Sequence, residues 1–189
     1  MGMAHPTTDW TATRVRALPD DGRRYEAVDG ELLVTPAPGW PHQRAVGALY
    51  RLLDDHLRAH GLGEAVMSPA DVELDARTLV QPDLFVVPLL EGGRRMRDWA
   101  EIQGRLLLVV EVLSPSTARA DRHLKRRRYQ RAGIPEYWIV DLDARLVERW
   151  RPADERPEIL AERLEWHPAA GSPPLAIDLE ALFAEALDG

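Results

Sequence analysis

Only one of the chain's 24 Lys+Arg residues is a lysine, Lys125. In a composition so committed to arginine, a single lysine suggests a position where a guanidinium would not serve. Arg is a planar fork that stays charged, whereas Lys is a compact ammonium whose pKa moves on burial and which fits close to reacting atoms. Chance is the competing account, since most lysines are solvated surface charges. Two carboxylates are also at odds with their surroundings. Asp83 follows Pro82 and precedes Leu84-Phe85-Val86-Val87, and Glu111 interrupts the apolar run 105–113, RLLLVVEVL. An ionised carboxylate is costly to bury alone, so such groups are paired, bound to a cation or set at a strand's accessible end. Asp83 could instead cap a turn, and Glu111 could hold a buried Arg. Converging within a few ångströms, the two would make a hard-oxygen site suited to Mg²⁺ or Mn²⁺, with the Val112 carbonyl as a further ligand. A cation there polarises a phosphodiester oxygen and lowers the pKa of bound water, while an ammonium orients the attacking hydroxide. Phosphoryl transfer needs charge stabilisation and positioning more than an elaborate nucleophile.

The elements that must position these groups follow from local pattern. Residues 9–18 predict a short helix opened by Asp9 and closed before Pro19. The runs 24–28 and 31–35, joined by Asp29-Gly30, predict a β-hairpin. A helix is expected over roughly 41–59, with Val46, Leu49, Leu52, Leu53 and Leu57 spaced by three and four to make one buried face. Strands are expected at 64–67, 71–74 and 83–87, and an irregular excursion or short helix at 88–104. The run 105–113 is expected to be a central strand covered on both faces. Ser114 to Thr117 make a turn and N-cap for a basic helix over 117–132, which Gly133 ends. Strands at 136–141, 145–150 and 158–166 precede a closing helix at 178–187. The pattern is α/β or α+β, with a mixed central sheet flanked by helices. An N-terminal helical segment, 1–19, precedes one domain over 20–189.

The chain has 189 residues and a formal net charge of −7, which argues against broad attraction to nucleic acid. The charge is unevenly spread. Residues 119–131 hold seven basic residues against Asp121, a net of +6, leaving −13 on the rest. Such a helix on an acidic body presents a local polyanion footprint, or simply solvates its outer face. Arg122, Arg126 and Arg128 are the phosphate-contact candidates. Cysteine is absent, which excludes disulfides, thiolate metal sites and a Cys nucleophile and fits the cytoplasm. No apolar run approaches the roughly eighteen residues of a membrane span, and Met1 to Trp10 lack a secretory signal pattern.

A wider set of residues carries a resemblance. Arg24-Tyr25-Glu26 with Asp29-Gly30-Glu31, then Pro38, His42-Gln43 and Gln81-Pro82-Asp83, lead into Val109-Val110-Glu111-Val112-Leu113-Ser114-Pro115-Ser116-Thr117. Asp121, Lys125, Tyr129, Gly133 and Glu136-Tyr137-Trp138-Ile139-Val140-Asp141 complete the set. Over about residues 20–180 the chain resembles the Uma2 family of restriction-type endonucleases, a branch of the PD-(D/E)xK nuclease superfamily. The resemblance implies a restriction-endonuclease-like core and a metal-dependent nuclease, with Asp83 and Glu111 as ligands of Mg²⁺ or Mn²⁺ and DNA as substrate. Where the superfamily pattern has lysine two residues after the acid, this chain has Leu113, so Lys125 is the substitute, on the following helix. Glu31 is the preferred additional acid over Glu26. His42 is a candidate contact to a phosphate or a water, and Tyr129, four residues after Lys125, a candidate to orient it. A homodimer is expected, because cutting both strands of a duplex conventionally takes two sites. The other reading is a nuclease-fold module that binds nucleic acid or protein without catalysis.

Overall fold

The structure, a computed structural model, describes residues 9–98, 101–102 and 105–188. Its centre is a six-stranded sheet of β3 (Gly63–Met67), β6 (Leu84–Pro88), β7 (Leu108–Val112), β8 (Glu136–Asp141), β9 (Leu146–Trp150) and β10 (Glu158–Leu160), in the order β10-β9-β8-β7-β6-β3. β7 is buried at every residue, as its unbroken apolar run predicts. It pairs antiparallel with β6 and parallel with β8, the one parallel pairing in this sheet. A parallel pair needs a crossover. Here it is a π-helical turn, Ala120–Lys125, running straight into α3 (Arg126–Arg131).

Strand alternation sorts side chains onto two faces. Leu84, Val86, Leu108, Val110, Val112, Trp138 and Val140 face α2 (Trp40–His60) and α4 (Leu179–Leu187). Phe85, Val87, Val109, Tyr137 and Ile139 face the opposite way, onto Tyr129 of α3 and a second sheet. That sheet contains β1 (Arg24–Val28), β2 (Glu31–Thr35), β4 (Val72–Asp75) and β5 (Thr78–Val80), in the order β2-β1-β5-β4. The β1–β2 hairpin turns at Asp29 (φ 52°) and Gly30 (φ 86°), the left-handed pair that a two-residue hairpin requires. α1 (Ala12–Arg16) packs Ala12 and Val15 against Ala27 and Leu79 of this sheet. β11 (Arg163–Trp166) and β12 (Leu175–Asp178) form a separate ribbon.

Several expectations are corrected. The first helix is five residues, capped by the Thr11 hydroxyl rather than opened by Asp9. Leu52 is 38% exposed, so the buried face of α2 is Val46, Leu49, Leu53 and Leu57. The strand expected over 158–166 divides: its first part pairs with β9 and its second with β12, in different sheets. β5 and β12, each only three or four residues, went unpredicted. Of the excursion over 88–104, Glu91–Gly93 form a 3₁₀ turn, and 99–100 and 103–104 lie outside the described residues.

Candidate active site

Glu111 shares the face of β7 occupied by Val109, so it points between the two sheets toward the π-helical turn. There the Lys125 ammonium meets it: Nζ lies 3.0 Å from Glu111 Oε1, 2.8 Å from Glu26 Oε2 and 3.5 Å from Asp121 Oδ1. All four side chains are at most 2% exposed. The Tyr129 hydroxyl donates to the same Glu111 oxygen at 3.2 Å. The Gln81 backbone N–H donates to the other Glu26 oxygen at 2.7 Å. The wide turn brings this about. The Arg126 N–H reaches the Asp121 carbonyl, five residues back, and Asp121, Lys125 and Tyr129 all turn inward. Single π-helical turns of this kind recur at functional sites.

Asp83 precedes β6 and sits beside this cluster. Its Oδ1 accepts from Arg24 Nη1 at 2.8 Å, and its Oδ2 accepts from the Val112 backbone N–H at 2.9 Å and lies 3.1 Å from His42 Nε2. Asp83, Glu111, Lys125, Arg24 and His42 all line one cleft of about 210 Å³. Thr35 and His42 also line it, and their Oγ1 and Nδ1 atoms are buried without a hydrogen-bond partner. Unsatisfied buried polar atoms are costly, so two at one cleft favour an occupant that supplies partners.

Charge in the cluster is unbalanced, with three carboxylates around one ammonium. Burial opposes the charge on Lys125, but Glu111, Glu26 and Asp121 outweigh it and hold the amine well above the usual lysine range. Burial lifts Glu111 well above the usual carboxylate range; Lys125 opposes this, while Asp121, Asp83 and Glu26 reinforce it. Asp121 is raised in the same way, by burial first. Lys125 therefore stays charged, while burial works against ionisation of Glu111 and Asp121. Asp83 behaves oppositely. Burial would raise it, yet the His42 contact and the Arg24 guanidinium bring it down to about 2.

The donors suit a hard cation in kind, being carboxylate oxygens with no sulfur nearby. Among the described residues no group of three or more His, Asp or Glu is arranged to hold a metal ion. Mg²⁺ is commonly bound through one or two carboxylates and keeps several waters, and Asp83 and Glu111 are two carboxylates lining one cleft.

A model of the Uma2 family, described as putative restriction endonucleases, matches residues 13–180. The chain belongs to the Uma2 family. Among solved structures it is similar to a putative nuclease of DUF820 from Anabaena variabilis ATCC 29413, solved at 1.96 Å. The two are 17% identical with a TM-score of 0.74, over 94% of this chain and 99% of that one. That likeness shows the fold. No curated protein matches the chain.

In this Uma2 member the structure brings together Asp83, Glu111, Lys125, His42 and Tyr129, all singled out from sequence. Tyr129 contacts Glu111 rather than orienting Lys125 directly. Glu31 is corrected. It is exposed beside the hairpin turn, paired with Val28, and lines a different cavity. The acid that reaches the site is Glu26. Alternation along β1 is a partial signal for this, because Arg24 and Glu26 are two apart and share a face, one reaching Asp83 and the other Lys125. The three arginines expected to meet phosphate are occupied. Arg122 bridges Asp141 and Glu148, Arg126 lies 4.5 Å over the Trp150 ring, and Arg128 holds Asp75 and Thr78. Among the described residues no helix is long and apolar enough to cross a membrane.

Proposed function

We propose that the chain is a divalent-metal-dependent endonuclease that hydrolyses phosphodiester bonds of DNA. The observation that carries this reading is the Lys125 ammonium, 3.0 Å from a carboxylate that shares one cleft with Asp83. Asp83 and Glu111 would hold Mg²⁺ or Mn²⁺. When bound, the cation supplies charge neutralisation at the scissile phosphate and makes water a better nucleophile. Lys125 donates to the attacking oxygen and to the charge that builds on the phosphorane. Glu26 and Asp121 fix the ammonium against Glu111, Tyr129 fixes Glu111, and Arg24 and His42 fix Asp83. Water gives up a proton to solvent as its oxygen bonds to phosphorus, the P–O bond to one sugar breaks, and the departing alkoxide takes a proton from solvent. A homodimer, each copy offering one site to one strand, belongs to the same proposal.

The test is purified protein with Mg²⁺ or Mn²⁺ on plasmid and on single-stranded DNA. Cleavage that needs the metal, and that falls at least about a hundredfold in Asp83→Ala and in Lys125→Ala, is the expected result. Cleavage indifferent to both changes removes the proposal. One observation favours a second reading, a nuclease-fold binding module: both Asp83 oxygens already have protein partners. Calorimetric titration with Mn²⁺ separates the two, because only the enzyme requires heat of binding that Asp83→Asn abolishes.

A further inference from the structure

A cavity of about 1070 Å³ lies beside the cleft. It runs between the β1–β2 hairpin and the outer side of the π-helical turn and α3, and the cleft does not account for it. One wall presents Arg119, His123 and Arg127, spaced four apart and therefore on one side of the helix. All three are exposed, and neither Arg119 nor Arg127 forms an ion pair with a described residue. Their neighbours differ. Arg122, Arg126, Arg128 and Arg131 are tied to Glu148, Trp150, Asp75 and Asp29 respectively. The helix thus uses one set of arginines to hold the fold and leaves another set uncommitted along a groove. The groove also has a direction. Ser116 lines both it and the cleft, so the two cavities meet at the turn before the helix.

We infer that this groove is a rail for the sugar–phosphate backbone of a single nucleic-acid strand, leading into the cleft past Ser116. The inference rests on the nuclease reading for its substrate class. Arg119 and Arg127 are eight residues apart on one side of the helix, so a single backbone running along it passes both guanidiniums in turn. The facing wall selects one strand over two. It carries the exposed Glu31, with no ion-pair partner among the described residues, and Leu33. A second backbone laid there would meet a carboxylate, whereas bases turned from one strand meet an apolar and hydrogen-bond-accepting surface.

Fluorescence anisotropy of labelled oligo-dT (twenty nucleotides) in EDTA tests this without any cleavage. The wild type binds the strand more tightly than a duplex of equal length. Arg119→Ala/Arg127→Ala weakens strand binding roughly tenfold and lowers the slope of log K against log salt by about 1.4, two contacts at about 0.7 each. Both side chains are exposed and form no ion pair among the described residues, and circular dichroism checks that the fold is kept. An unchanged affinity and slope overturns the inference, as do tighter duplex binding, absent wild-type binding, or equal displacement by polyglutamate, which would indicate an acidic-peptide site. Hydrolysis of a small diester such as bis-p-nitrophenyl phosphate, measured in parallel with Mn²⁺, reports on the cleft alone. Diester hydrolysis with unaltered strand binding in the double variant removes the rail and leaves the nuclease. Weakened strand binding without any hydrolysis does the reverse.

Discussion

Lys125 is the only cation in contact with Glu26, Glu111 and Asp121 among the described residues, and its loss would leave three buried acids to compensate for themselves. Removing one partner from a buried ionic cluster costs about 3–5 kcal/mol, so Lys125→Met should destabilise the fold by that order at pH 7. The loss should shrink as pH falls, because Glu111 and Asp121, both raised by burial, take up protons in the folded state. Urea unfolding at pH 7 and at lower pH decides it, and a loss that does not vary with pH contradicts the charge account. Asp83 carries the opposite sign. Its folded pKa of about 2 lies below the ordinary 3.8, so its contribution is complete above pH 3.8 and disappears as pH falls through 2. The size is about 2 kcal/mol. Arg24→Met should move that window upward, which a ¹³C-carboxyl NMR titration of Asp83 would record directly. A titration unmoved by the substitution would assign the depression to His42 alone.

At the scale of elements, the site depends on two joints. One is the pairing of β3 with β6, the strand that Asp83 leads into. A Cβ on Gly63 would lie 2.4 Å from the Val87 carbonyl oxygen, against backbone that cannot swing away. Gly63→Ala should therefore cost about 1–3 kcal/mol, read as a fall in the urea midpoint; a neutral result would mean that β3 shifts freely. The other joint is the π-helical turn, and it marks where sequence reasoning stops. The hairpin, the long helix and the central strand were legible because each has a strong local cause: Asp29-Gly30, apolar spacing of three and four, and an unbroken buried run. Asp83, Glu111 and Lys125 were legible as residues out of character with their surroundings. The extra residue in the turn has no such mark, since a 3.6-residue period describes 117–132 acceptably whether or not one turn is widened. The ranking of Glu31 over Glu26 fails for a related reason: alternation puts Glu26 on one face with Arg24 but does not say which way that face turns. Which acid beside a hairpin turn faces inward depends on what the second sheet packs against, a tertiary fact.

At the scale of the molecule, the cleft lies where the layers meet. Asp83 precedes β6, Glu111 is on β7, Glu26 is on the second sheet and Lys125 is on the crossover. An ion held by Asp83 and Glu111 would bind the folded arrangement and not the unfolded chain, so binding and global stability are linked. At a hundred times its dissociation constant, a ligand of this kind adds about 2.7 kcal/mol. For a domain of this size that is roughly 5–11 °C in Tm, at about 2–4 °C per kcal/mol. The shift should also depend on pH with a defined sign. Glu111, raised by burial and by its acidic neighbours, keeps its proton at lower pH, and the cation must displace it. Mn²⁺ should therefore raise Tm more at pH 8 than at pH 6, and calorimetry in buffers of different ionisation enthalpy should show protons released on binding. Glu111→Gln and Asp83→Asn should each remove the shift. A Tm increase that survives both substitutions would place the cation elsewhere and leave the carboxylate pair as a structural lock between the sheets.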